Sequence, residues 1–126
     1  MIRRIYIAGP YSATTRKERK ANRDRAVLVG RKVVKCGHYP VIPHVIGFEL
    51  EDLNDDWNWW MNVTSRELST CDAMVLVPGY RNSKGAMSEL GQCQRDGIPC
   101  FLASQIGLEY FQAWADSEMR KKETVM

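Results

Sequence analysis

The chain has 126 residues, 44% of them hydrophobic, which is enough to build one core without metal or disulfide staples, so a single domain spanning 1–126 is expected. Charged residues make up 26% and the formal net charge is +3, too mild a basic balance for a binder of polymeric nucleic acid. No apolar run approaches the ~20 residues that cross a bilayer, and Met1-Ile2-Arg3-Arg4 leads into a strand rather than a signal sequence, so the expectation is a cytoplasmic protein without membrane contact.

Ile2 to Ala8 is a short, β-branched, apolar run ended by Gly9-Pro10, the pattern of a buried first strand and a turn. From about Thr15 to Cys36, Ala21, Ala26, Val29, Val33 and Val34 recur at helical spacing among charges, and Gly37 closes a long amphipathic helix. Its many Lys and Arg residues, from Arg16 to Lys35, suit a solvated face; the alternative is a basic rim for an anionic substrate. Tyr39 to Ile42 is a second strand bounded by Pro43, and the acid-rich stretch from His44 to Trp57 reads as a loop or short helix. A helix over about Asn58 to Cys71, a strand over Asp72 to Pro78, a helix over Ser83 to Asp96, a strand over Ile98 to Leu102 and a last helix from about Leu108 to Lys121 complete the chain, with a polar tail after it. The alternation predicts an α/β, Rossmann-like or flavodoxin-like three-layer domain with a mostly parallel sheet of four to five strands. Ligand contacts should then come from the loops at the carboxyl ends of the strands.

Cys36, Cys71, Cys93 and Cys100 form no Cys-x-x-Cys pair and read as reduced, partly buried thiols; with only His38 and His44 to join them, no metal site is expected. The most informative segment is Pro78 to Gly91. A strand ends there and a hydroxyl and a glycine open a helix, which makes Ser83 and Gly85 candidates to receive a phosphate on backbone N–H groups and the positive helix end. Glu89, one turn further on, can reach back to the crevice or be simply an early-helix acid. Gly9-Pro10-Tyr11-Ser12 is a second close-approach turn. Tyr6 can point its hydroxyl to the same mouth or fill core space, and His44 can be a base, a ligand contact or a hydrogen-bonded structural histidine. Trp57, Trp59 and Trp60 suit either stacking on a nucleobase or packing in a core or subunit contact.

Tyr6-Ile7-Ala8-Gly9-Pro10-Tyr11-Ser12, the strand Cys71-Asp72-Ala73-Met74-Val75-Leu76-Val77 and the run Ser83-Lys84-Gly85-Ala86-Met87-Ser88-Glu89-Leu90-Gly91 together resemble the nucleoside 2-deoxyribosyltransferase superfamily. The closest similarity is to short relatives with a Ser-x-Gly-Ala-x-x-Glu motif, and it extends to the deoxynucleoside monophosphate N-glycosidases. The resemblance implies that Glu89 attacks the anomeric carbon of a nucleoside or nucleotide to form a covalent glycosyl ester, that Tyr6 positions it, and that Ser83 and Gly85 hold a 5′-phosphate. It implies a small-molecule nucleoside or nucleotide as partner, no metal or redox cofactor, and a homodimer or higher homo-oligomer. Where the superfamily usually has an aspartate contacting sugar or base, this chain has Thr64. Either the substrate differs, or Asp55 or Asp56 moves in, or the chain binds a nucleotide without turnover. Asp72, at the amino end of its strand, reads as structural. The alternatives to nucleotide glycosidase are a nucleotide-binding or sensing module and an NAD-cleaving glycohydrolase.

Overall fold

The computed structural model describes residues 1–117. Four strands, β1 (Arg4–Ala8), β2 (Tyr39–Val41), β3 (Ala73–Leu76) and β4 (Cys100–Leu102), form one sheet in the order β2-β1-β3-β4, and every pairing is parallel. Parallel neighbours need long crossovers. These are α1 (Arg16–Lys35) between β1 and β2, α2 (Pro43–Leu50) and α3 (Trp57–Ser69) between β2 and β3, and α4 (Lys84–Asp96) between β3 and β4; α5 (Glu109–Asp116) follows. The α/β, Rossmann-like three-layer expectation therefore holds, with four strands.

Both sheet faces are covered, so the central strands are apolar throughout rather than alternating. Ile5, Ile7, Ala73 and Val75 point to one side, where Ala26, Val29 and Val33 of α1 and Phe111 of α5 pack on them. Tyr6, Ala8, Met74 and Leu76 point to the other, against Leu68 of α3 and Ala86 and Cys93 of α4. The period of two thus sends the Tyr6 side chain toward the helix that carries Glu89.

Several predicted boundaries move. The first strand starts at Arg4; Ile2 is exposed, and Arg3 is buried with its guanidinium turned to the end of α5. The stretch after β2 is a helix, because Pro43 ends the strand and then sits at the first position of α2, where its missing N–H has no bond to lose. Asp56, one of the two acids offered above as a replacement for the aspartate absent at Thr64, caps α3 by accepting the N–H groups of Asn58 and Trp59 at 2.9 and 3.4 Å. The last helix ends at Asp116 with Ser117 extended; the remainder of its predicted span, and the polar tail, lie outside the described residues. Cys71 and Cys93 are buried, Cys36 and Cys100 half-buried, and all four are free thiols. No helix among the described residues is long and apolar enough to cross a membrane.

Candidate active site

The chain runs from β1 outward to β2 and then back across to β3, so the crossovers diverge on either side of β1 and leave a crevice at the carboxyl edge. A cleft of about 960 Å³ occupies it. Tyr6, Gly9, Pro10, Tyr11, Ser12, His44, Thr64, Ser83, Gly85 and Glu89, all the residues expected at the site, line this one cleft. Trp57 and Trp60 line it as well, whereas Trp59 is stacked edge-on to Trp60 at 4.9 Å and faces outward.

The floor is built where β1 and β3 end. Gly9 lies so close to β3 that a Cβ there would stand 2.5 Å from the Val77 Cβ. Only glycine permits that approach, and the Val77 N–H locks it by donating to the Ala8 carbonyl at 2.8 Å. Beside this seam the Tyr6 hydroxyl, fully buried, donates to Glu89 Oε2. Glu89 is 7% exposed, and burial pushes its carboxyl up to about 7, while hydrogen bonding from Tyr6 and Thr64 offsets part of the rise. Burial and the neighbouring Glu89 charge hold the Tyr6 phenol well above its ordinary value, so it stays a donor. The Thr64 hydroxyl faces both members of the pair and lies a long 3.4 Å from the Met61 carbonyl.

Among the described residues, no second carboxylate hydrogen-bonds with the Tyr6–Glu89 pair. Asp56 is spent on its cap, and Asp55 lines the cleft from the loop between α2 and α3. Glu67, a turn beyond Thr64 on α3, lines a smaller surface pocket and reaches Glu89 only as a distant repulsive charge. Asp72 accepts the Arg4 N–H at 2.8 Å at the opposite edge of the sheet, a structural role.

The side walls come from the other strand ends. Gly79, with φ at +90°, turns the chain after β3 through a single 3-10 turn over Tyr80–Asn82 into α4. Ser83 caps α4 by accepting the Ala86 N–H on Oγ at 3.1 Å, and its carbonyl takes the Met87 N–H at 3.0 Å. The first-turn N–H groups of Lys84 and Gly85 therefore stand at the cleft without an intrahelical acceptor. Met61 packs on Gly85 closely enough that a Cβ there would sit 3.4 Å from its sulfur.

Opposite, His44 is buried and held neutral by desolvation, its Nε2 3.1 Å from the Gly9 carbonyl and its Nδ1 without a partner among the described residues. Nε2 is thus the donor, and Nδ1 a lone acceptor. The Tyr11 ring meets His44 edge-on at 5.9 Å, and Asn22 of α1 fixes that loop by donating to the Tyr11 carbonyl at 3.0 Å.

Sequence reasoning missed the outer end of the cleft. Glu51 accepts from Arg16 at 2.8 Å, Arg19 at 2.7 Å and the Tyr11 hydroxyl at 3.0 Å, tying α1 to the end of α2. The two arginines belonged to the basic segment read as a solvated face or a rim, and no local pattern marks Glu51 as their partner. Lys84 was passed over too, although a lysine between a capping serine and a glycine is a signal in itself.

The sequence profile described as "Domain of unknown function (DUF7768)" matches residues 3–103. The chain belongs to the DUF7768 family. The DUF7768 span takes in all four strands and every cleft-lining residue from Tyr6 to Glu89, and it stops before α5. No curated protein matches the chain.

Proposed function

We propose that this protein cleaves the N-glycosidic bond of a nucleoside or nucleoside 5′-monophosphate, with hydrolysis favoured over base exchange. The observation that carries the reading is the Tyr6–Glu89 pair: one carboxylate on the floor of a cleft, oriented by a buried phenol, beside helix N–H groups. The resemblance of its motifs to the nucleoside 2-deoxyribosyltransferase superfamily supports the same reading. In the first step a Glu89 oxygen forms a bond to the anomeric carbon as the carbon–nitrogen bond breaks, and the base leaves with the electron pair and takes up a proton. Water then attacks the glycosyl ester, releasing the sugar and restoring the carboxylate; a second base in place of water gives transfer. Tyr6 fixes which oxygen faces the sugar. The first turn of α4 receives the 5′-phosphate.

One observation favours a second reading, a nucleotide-binding module without turnover: with Thr64 on α3, Glu89 is the one carboxylate bonded to Tyr6 among the described residues. The two separate in one assay. Purified protein is incubated with deoxyribonucleoside monophosphates, the free nucleosides and NAD, and free base or nicotinamide is followed by chromatography. Base released by wild type and lost in Glu89→Ala is the expected result. Indistinguishable wild type and variant across the whole panel removes the enzyme reading, and thermal stabilisation by a nucleotide with no product supports the binding module.

A further inference from the structure

We infer that Lys84 sets the preference of this cleft for a phosphorylated over an unphosphorylated nucleoside, carrying its ammonium from the Trp57 ring onto a phosphate monoester at the start of α4. The inference rests on the proposed function for the kind of ligand, and on Lys84 itself for the selectivity. Lys84 is the first residue of α4, is exposed, and lines the cleft. Its Nζ lies 4.8 Å from the centre of the Trp57 ring, and among the described residues it makes no ion pair. It therefore brings an unneutralised positive charge on a flexible stem to the place where its own backbone N–H and that of Gly85 point into the cleft.

An aromatic face holds an exposed cation weakly, whereas a phosphate oxygen offers a charge-assisted hydrogen bond, so the exchange of partners runs toward the phosphate. The backbone groups alone supply only partial charges. A phosphate dianion also needs a full charge, and Lys84 brings it from the same residue. Asn82 lines the cleft next to it with an amide donor. A separate observation points to a ligand in the same cleft: on the wall opposite Lys84, His44, 6% exposed, leaves a buried ring nitrogen unpartnered among the described residues, a group that native structures rarely leave without a donor.

The test titrates the full chain, in a Glu89→Gln background that prevents consumption of the probe, with inorganic phosphate, deoxycytidine 5′-monophosphate and deoxycytidine. Calorimetry gives the affinities, and tryptophan emission reports departure of the ammonium from Trp57. In Lys84→Gln, phosphate and the monophosphate are expected to bind about tenfold more weakly, as for loss of one charged contact. Deoxycytidine should be unaffected, and Lys84→Arg should retain most of the affinity. Trp57→Phe should abolish the emission change. Because Lys84 is exposed at a helix start, its two variants leave the core intact. Equal phosphate affinity in wild type and Lys84→Gln overturns the inference, as does a parallel loss of nucleotide and nucleoside binding or no phosphate binding at all.

Base release, measured separately in the Glu89 form, distinguishes the two proposals. Lys84-dependent nucleotide binding without base release from any substrate sinks the glycosidase and leaves the role of Lys84 standing. Base release with an unchanged nucleotide-to-nucleoside preference in Lys84→Gln does the reverse.

Discussion

A carboxyl that is buried without a cation must choose between its proton and its solvation, and Glu89 shows the outcome. Its value rises from 4.5 to about 7 because desolvation outweighs the hydrogen bonds from Tyr6 and Thr64. The native state then holds this proton more tightly than the unfolded chain does, so stability is complete below pH 4.5 and is lost as pH climbs through 7. A shift of this size corresponds to about 3 kcal/mol. Glu89→Gln keeps an acceptor for the Tyr6 hydroxyl and removes the charge. Urea denaturation should find it more stable than wild type near pH 8 by up to about 3 kcal/mol, and alike near pH 4. Equal stability at the higher pH would contradict the burial of this group. On the proposed mechanism the same titration governs the chemistry. Only the ionised carboxylate attacks carbon, so kcat/KM is expected to rise with pH to a plateau above about 7, and a rate that falls over that range would exclude Glu89 as the nucleophile.

Strand ends and helix starts turn this residue into a site, and the seam between β1 and β3 is the tightest of them. In Gly9→Ala the new methyl would meet Val77 at 2.5 Å while the Ala8–Val77 hydrogen bond holds the strands together. Neither side can yield cheaply, and we expect a loss of about 1–3 kcal/mol in a denaturation midpoint; an unchanged midpoint would mean that the strand ends are free to part. Elements of this kind were legible in the sequence because their signals are local. Gly9-Pro10 punctuates the chain after β1, and Gly79 and Ser83 open and close the one connection from β3 to α4. Local reading left a loop or a short helix open where one residue serves two elements, as Pro43 does in ending β2 and opening α2, and failed where a charge is a cap, as Asp56 is. It also failed across distance. Glu51 meets Arg19 and Tyr11 from 32 and 40 positions away, and Tyr6 meets Glu89 across 83, separations that no periodicity reports. The Tyr6–Glu89 pairing came only from the family resemblance; the pattern of β1 left Tyr6 open as a core residue.

The two faces of the sheet bury two cores, one under α1 and α5 and one under α3 and α4, and the cleft opens at the carboxyl edge between them, lined from α1, α2, α3 and α4. The DUF7768 match ends at residue 103, yet the physical domain continues. Phe111 of α5 is fully buried, with its ring 5.1 Å from Phe101 of the edge strand β4 and 5.7 Å from Trp114. Arg3, just ahead of β1, donates to the Ala115 carbonyl at 3.0 Å and the Ser117 carbonyl at 2.6 Å, satisfying acceptors that the end of α5 leaves open. The start of the first strand and the end of α5 are thereby fastened together. Phe111→Ala should cost about 3–5 kcal/mol, a large share of the roughly 5–15 kcal/mol typical of a domain. Hydrogen exchange should show protection lost in β4 and α5 together, because the two share one aromatic cluster. Leu108→Ala, at a residue 55% exposed, is the control. If Phe111→Ala lowers the denaturation midpoint no further than that control does, α5 is an appendage and the cleft-bearing unit closes at β4; if it lowers it by the expected amount, the helix outside the family match is part of what holds the floor of the cleft in place.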